Sequence, residues 1–348
     1  MADLESNLIR LYLPLVAWVG LGVVLGMKLP VQVPFYLGKF LFWIGVPISI
    51  LTFLRQADLS ESVWVVPAIA WIAILLGASL AWSWMMITGR VKRSSHLSRQ
   101  RSPSQDGIED AEDASSVADE SSHHLTHSAH KPWSLPTQGS FMLSAMIGNT
   151  GYLGYPVVLT LMGPKFFGWA IFYDLLGSTL GAYGLGVILA ARFGTSYQNM
   201  GQLFQAILIN PAFWSFWAGL GFRQVPLPQP VERGLLGIAW AIVAASLLLL
   251  GMRLSQVSSW RNAQKAAISL SIKMLIVPMA LGLCLPIIGI TGSARLVVIL
   301  QMAMPPAFAT LVIAEAYNLD RGLTVTALAI GSIGILATLP IWLWLFGT

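Results

Sequence analysis

Charged side chains are scarce in this 348-residue chain. Asp, Glu, Lys and Arg together make up 10% of it, against roughly 25% in soluble globular proteins, which leaves too little polar surface for a water-soluble fold of this size. The net charge of +5 comes mostly from basic residues lying between apolar blocks, a placement that sets membrane orientation and gives no footprint for nucleic acid. Cysteine is nearly absent. Cys284 stands alone inside an apolar block, so neither a disulfide within the chain nor a cysteine metal site can form, and the residue is expected to act as a small buried hydrophobe. No histidine falls in any apolar block, which excludes a histidine proton relay or a histidine-bound metal at membrane depth. The apolar blocks hold no cluster of acids to bind sodium through carboxylates, although backbone carbonyls remain available to a cation. A glycine-rich phosphate loop ending in lysine is missing, so ATP is not implied and no cofactor is expected. The serines in the apolar blocks lack a histidine or acidic partner for nucleophilic catalysis, and no enzyme activity is expected. The start, Met1 to Asn7, is acidic rather than basic, unlike a cleavable signal peptide.

Apolar residues are abundant: 56% of the chain, with a mean hydropathy of +0.71. Most fall in blocks of about 20, enough for a helix to cross a hydrocarbon core of roughly 30 Å. The blocks are continuous rather than alternating, which favours helices over a barrel. The fold expected is an all-α polytopic membrane protein with spans near 8–27, 35–55, 63–88, 140–163, 166–191, 203–222, 232–252, 264–287, 294–316 and 323–346. One long polar stretch, 89–138, holds seven of the fifteen acidic residues and all five histidines, and reads as a disordered linker. The chain thus divides into 1–88 (spans 1–3), the linker 89–138, 139–193 (spans 4 and 5) and 194–348 (spans 6–10). Loops after the odd-numbered spans carry twelve basic residues and the remaining loops and termini six. The positive-inside rule then places the linker in the cytosol and both termini outside, in a plasma (inner) membrane. Trp64, Trp82, Trp84, Trp133, Trp342 and Trp344 lie near span ends, where interfacial anchors belong. The pairs Gly22/Gly26 and Gly177/Gly181 suit close helix packing.

Two spans are punctuated in their middles. Span 4 contains Gly148-Asn149-Thr150-Gly151-Tyr152-Leu153-Gly154-Tyr155-Pro156, and span 9 contains Gln301-Met302-Ala303-Met304-Pro305-Pro306. Proline removes a donor and breaks the preceding turn, and glycine permits unwinding. The freed backbone groups then need partners in a dry environment. Cut after span 5, the chain gives two halves with a break in the fourth span of each. Pro14 and Pro211, and Pro67 and Pro278, also recur in order. An odd number of spans per half makes the halves opposite in orientation, and inverted repeats with broken helices point to a secondary transporter with its substrate near the midplane. The candidate substrate-binding residues are Asn149, Thr150, Gly151, Pro156, Gln301, Pro305 and Pro306. Charges inside spans reduce to Lys273, Asp174 and Glu315. Lys273 and Asp174 are candidates for charge compensation or coupling, with a structural ion pair between them as the alternative. Glu315 is expected at a solvated interface.

With these pieces in view, the chain resembles the auxin efflux carrier family of permeases, which includes plant auxin exporters and bacterial organic-acid permeases. The resemblance rests on LGKFLFWIGVPISILTFL in span 2, GNTGYLGYPVVLTLMG in span 4 and ILINPAFWSFWAG in span 6. Further on it rests on LLLLGMRLS, IKMLIVPMAL and MAMPPAFATLVIAEAYNLD. It implies two inverted five-helix repeats with crossed, broken helices 4 and 9, and transport of small organic anions, such as carboxylates or auxin-like compounds. It also implies an elevator motion and a homodimer formed through the scaffold. Asn149 falls on the position that contacts substrate in the plant exporters, and Lys273 on the basic residue before the span-8 proline. Span 3 is wholly apolar where the plant exporters carry an acid/base pair, and the long loop lies between spans 3 and 4 rather than in the middle of the chain. Two other readings fit the same punctuation. One is a sodium-coupled symporter of bile-acid type, which sodium dependence of flux would separate. The other is a membrane receptor or sensor signalling through 89–138, which deletion of that stretch would separate.

Overall fold

Proline, glycine and side-chain caps set where each helix of this chain starts and stops. The computed structural model describes residues 2–30, 32–59, 61–99, 133–194, 208–255 and 262–347. In chain order they form α1 (Ala2–Lys28), α2 (Gln32–Leu54), α3 (Val66–Arg99), α4 (Leu135–Met146), α5 (Tyr155–Met162) and α6 (Pro164–Phe193). There follow α7 (Pro211–Phe222), α8 (Gln229–Leu254), α9 (Ala263–Ile288), α10 (Gly292–Met302), α11 (Phe308–Ala316) and α12 (Arg321–Phe346). No strand occurs among the described residues apart from one isolated bridge. Six helices, α2, α3, α6, α8, α9 and α12, are long and apolar enough to cross a membrane.

Local chemistry explains several boundaries. Thr137 N–H donates to Ser134 Oγ (3.3 Å) and Pro136 lies in the first turn, so α4 starts there. Ala212 N–H donates to Asn210 Oδ1 (3.0 Å), with Pro211 leading α7. Leu323 N–H donates to Asp320 Oδ1 (3.0 Å) at the start of α12. Each cap satisfies an orphan donor that a helix terminus leaves open. Asp320 also ties α12 to α4: Thr137 Oγ1 donates to its carboxylate (2.9 Å) and Ser140 Oγ to its carbonyl (2.9 Å).

The helices associate in two groups. In one, α1 runs along α8 and α2 lies against α7. A Cβ on Gly26 would come within 2.6 Å of Met252 Cα, and one on Gly251 within 2.7 Å of Val23 N. The two backbones are therefore nearly in contact, as the small-residue pairing requires. Two arginines clasp the ends of α2 and α7. Arg55 donates to the carbonyls of Phe222 (2.6 Å) and Val225 (2.8 Å), and Arg223 donates back to the carbonyl of Ala57 (2.6 Å). In the other group, α3 packs on α4 and α6, and α9 on α10 and α12. Gly177 and Gly181 of α6 press on Ala70 and Ile74 of α3.

Several expectations shift. The helix α3 runs to Arg99 and α4 starts at Leu135, so the segment expected as linker, 89–138, is helical at both ends. Its part between 100 and 132 lies outside the described residues, as does 203–207 of the sixth span. Cys284 is exposed rather than buried. It shares the end of α9 with the exposed Leu283 and Ile287, an outer surface that lipid accepts. Trp342 is buried, stacked 6.0 Å from Phe346, because the last turns of α12 face inward. Trp64, Trp82, Trp84 and Trp344 are exposed, as anchors are. Glu315 is solvated, paired with Arg321 Nε at 2.9 Å.

Candidate functional site

The helix α4 stops at Met146 and the chain extends through Ile147 to Asn149 before a widened turn, Thr150–Gly154, leads into α5. Likewise α10 stops at Met302, and the chain runs through Pro305 and Pro306 before α11 starts after Ala307. The two interruptions meet. Gly148 and Pro306 form an antiparallel bridge, in which Asn149 N–H donates to Pro305 C=O (2.7 Å) and Ala307 N–H donates to Ile147 C=O (3.2 Å). Pro306 has no N–H to offer, and it occupies the residue between the two bonding groups. Backbone groups that proline and glycine release from the helices are thereby satisfied against each other. Ser178 Oγ of α6 donates to Gly148 C=O at 3.2 Å.

Around this crossing lie two cavities. The first, about 280 Å³, is bounded by Phe42 and Val46 of α2, by Asn210 and Ala212 at the start of α7, by Gly148 to Tyr152, by Asp174, Ser178 and Tyr183 of α6, and by Ala307 to Ala309. The second, about 190 Å³, lies between α8, the widened turn before α5, and the first turns of α11 and α12, and takes in Ser246, Arg253 and Ser332. Asn149, Tyr152 and Phe308 line both. Both cavities thus sit between the two helix groups.

Within the first cavity the polar groups are ordered by one acid. Asp174 is buried, and it accepts from Thr150 Oγ1 (2.5 Å) and Tyr155 OH (2.7 Å). Gly151 is a glycine for a local reason: a Cβ there would stand 2.9 Å from Asp174 Oδ2. The Asn149 amide makes no hydrogen bond among the described residues, and Asn149 is 8% exposed. Beside it, α11 begins without a side-chain cap, and its first residues line the cavity. Free N–H groups and the positive end of a helix dipole therefore face the same space as the Asn149 amide, an arrangement suited to an anion.

Of the residues singled out in the sequence, Asn149, Thr150, Gly151 and Asp174 come together at the first cavity. Pro156 is buried in the first turn of α5, away from both cavities. Pro305 and Pro306 shape the crossing through their backbone, while their rings rest on Gly331 of α12, whose added Cβ would come within 2.9 and 3.0 Å of them. Gln301, fully buried, lies under Gly154 rather than at a cavity, and neither atom of its amide has a partner. Lys273 is 2% exposed and makes no ion pair with Asp174. Instead it approaches the opposite face of the crossing. A Cβ on Gly148 would lie 3.2 Å from Lys273 Nζ and 3.3 Å from Met304 C=O. Three participants escaped the sequence reading: Tyr155, Tyr152 and Arg253. Arg253 counted as a loop cation, but it belongs to the last turn of α8 and turns back into the second cavity. Its position within the LLLLGMRLS block was the available signal.

A family model described as membrane transport protein matches residues 132–343, from before α4 to the last turn of α12. An uncharacterized transporter of Methanocaldococcus jannaschii is 27% identical over 212 residues, covering 60% of this chain and 68% of its own. An uncharacterized transporter of Methanothermobacter thermautotrophicus is 28% identical over 214 residues, covering 61% of this chain and 67% of its own.

Proposed function

Because the chain belongs to the auxin efflux carrier family of membrane transport proteins, we propose that it is a secondary carrier of a small organic anion, working by alternating access. The observation that carries this reading is the paired crossing itself. An unpartnered asparagine amide and an uncapped helix start face a common cavity between two helix groups.

An inverted repeat of two five-span halves is supported by the pattern of helix neighbours. Counting α4 with α5, and α10 with α11, as one interrupted span each gives ten spans. Spans 1 and 7 pack together, as do spans 6 and 2, their equivalents under exchange of the halves; spans 3 and 5 pack as spans 8 and 10 do. The cavities separate the group α1, α2, α7 and α8 from the rest. Sliding the second group past the first would expose the crossing to each side in turn, an elevator motion. In this scheme Asn149, with Thr150 and Gly151, holds the anion. Lys273, whose Nζ approaches Gly148, offsets the negative helix ends at Met146 and Met302. Both termini lie outside by the distribution of basic residues, and a homodimer would form through the first group.

The test is flux in proteoliposomes. Asn149→Ala should abolish transport while the protein still inserts and remains monodisperse in detergent. Normal flux by that variant would remove the site assignment.

A further inference from the structure

The second cavity carries a charge that the crossing alone does not explain. Arg253 is the one charged residue among those that line it, just as Asp174 is in the first. The guanidinium is held in place on two faces without being neutralised. On one side its Cζ lies 3.9 Å from the centre of the Phe308 ring. On the other, the missing side chain of Gly38 makes room, since a Cβ there would stand 2.8 Å from Arg253 Nη2. The Arg253 guanidinium makes no hydrogen bond or ion pair among the described residues, and the Tyr152 side chain lines the same cavity. Five N–H donors in a planar fork, in a cavity whose apolar lining includes Leu249, Leu250, Leu254, Leu311 and Leu328, make a ready receptor for a carboxylate. A cation left there with no counter-charge would be expensive.

We propose that Arg253 receives the carboxylate of the transported anion, and that the protein selects monocarboxylates over dicarboxylates. This rests on the carrier reading above. The two cavities share Asn149, Tyr152 and Phe308, so an elongated molecule can lie across them with one end at Arg253 and its body along the two rings. Its far end then enters the first cavity. There the charged group is Asp174, which already accepts from two hydroxyls and presents acceptor oxygens. The Asn149 amide and the start of α11 border both cavities and serve the one carboxylate at Arg253. An uncharged tail fits the Asp174 end, where a second carboxylate would meet acceptor oxygens with no cation among the residues lining that cavity. Arg253 belongs to α8 in one helix group, while Asn149 and Phe308 belong to the other. The anion therefore bridges the two bodies when both hold it.

Reconstituted protein separates these claims. The probes are acetate, pentanoate, octanoate and phenylacetate, set against malonate, glutarate and suberate. Wild-type protein should move at least one monocarboxylate, and the dicarboxylate of matching length should compete at least tenfold more weakly. Arg253→Gln should raise KM for that monocarboxylate by about 10- to 100-fold, the loss of a charge-assisted pair. Folding is controlled chemically. In a Cys284→Ser background, Arg253→Cys leaves one thiol; the aminoethyl methanethiosulfonate reagent, which adds a positive charge, should restore uptake, and its sulfonatoethyl counterpart should not. Glutarate competing as well as pentanoate, an unchanged KM in Arg253→Gln, or equal rescue by both reagents would overturn the assignment while leaving the carrier intact. Wild-type protein that moves none of the seven acids would overturn the carrier reading with it.

Discussion

Adding a single methyl group at Gly154 should destabilise this protein, against the ordinary tendency of glycine-to-alanine changes in helices. The widened turn after the crossing brings the Gly154 Cα onto the amide of Gln301. An ideal Cβ there would overlap Gln301 Oε1 and lie 2.9 Å from Cδ and 3.0 Å from Nε2. Gln301 is fully buried and cannot swing out to solvent. Overpacking of this kind costs about 1–3 kcal/mol, while the lower backbone entropy of alanine returns roughly 0.5–1 kcal/mol. The net expectation for Gly154→Ala is a loss of up to about 2.5 kcal/mol, measured by denaturant titration of purified protein in mixed micelles. A double-mutant cycle isolates the cause. In a Gln301→Ala background the clash disappears, and Gly154→Ala should become neutral or stabilising. Stabilisation by Gly154→Ala alone, or an identical cost in both backgrounds, would refute the close approach of these two breaks.

Two further outcomes follow from named contacts. Thr150→Val and Tyr155→Phe each remove one donor to Asp174 and should each cost about 1–3 kcal/mol, because a buried acceptor loses its partner; unchanged unfolding of both variants would count against the arrangement. Gly251→Ala should push α1 from α8 and lower the yield of monodisperse protein, because its Cβ would stand 2.7 Å from Val23 N, whereas Gly237→Ala, with nothing within 4 Å, should not. Size-exclusion profiles of the two variants side by side decide it.

Some of this was legible in the residues alone, and the reasons are local. Apolar blocks of sufficient length mark helices such as α8 and α12, and glycine and proline mark where α4 and α10 end. The meeting of Gly148 with Pro306 was not legible. It pairs residues from opposite ends of the match to the family model, and no periodicity encodes a partner so distant in sequence. Asp174 was visible as a buried acid, but its donors Thr150 and Tyr155 sit 24 and 19 residues away on a different helix. Arg253 was hidden by its place at a span end, where a basic residue ordinarily means an interface. Pro156 and Gln301 stand within the punctuated stretches, yet packing turns them away from the two cavities.

The bridge at the crossing also constrains how the protein is made. Asn149 N–H and Ile147 C=O find their partners at Pro305 and Ala307, so the ribosome must extend the chain through most of its second half before either group is satisfied. Until then the break between α4 and α5 keeps two unmatched backbone groups, each costing several kcal/mol in a lipid environment. The helices α1 to α6 can therefore insert early but cannot settle, and the crossing with its cavities exists only after α10 and α11 arrive. A truncated chain ending before α10 should be a substrate for membrane quality control rather than a smaller working unit.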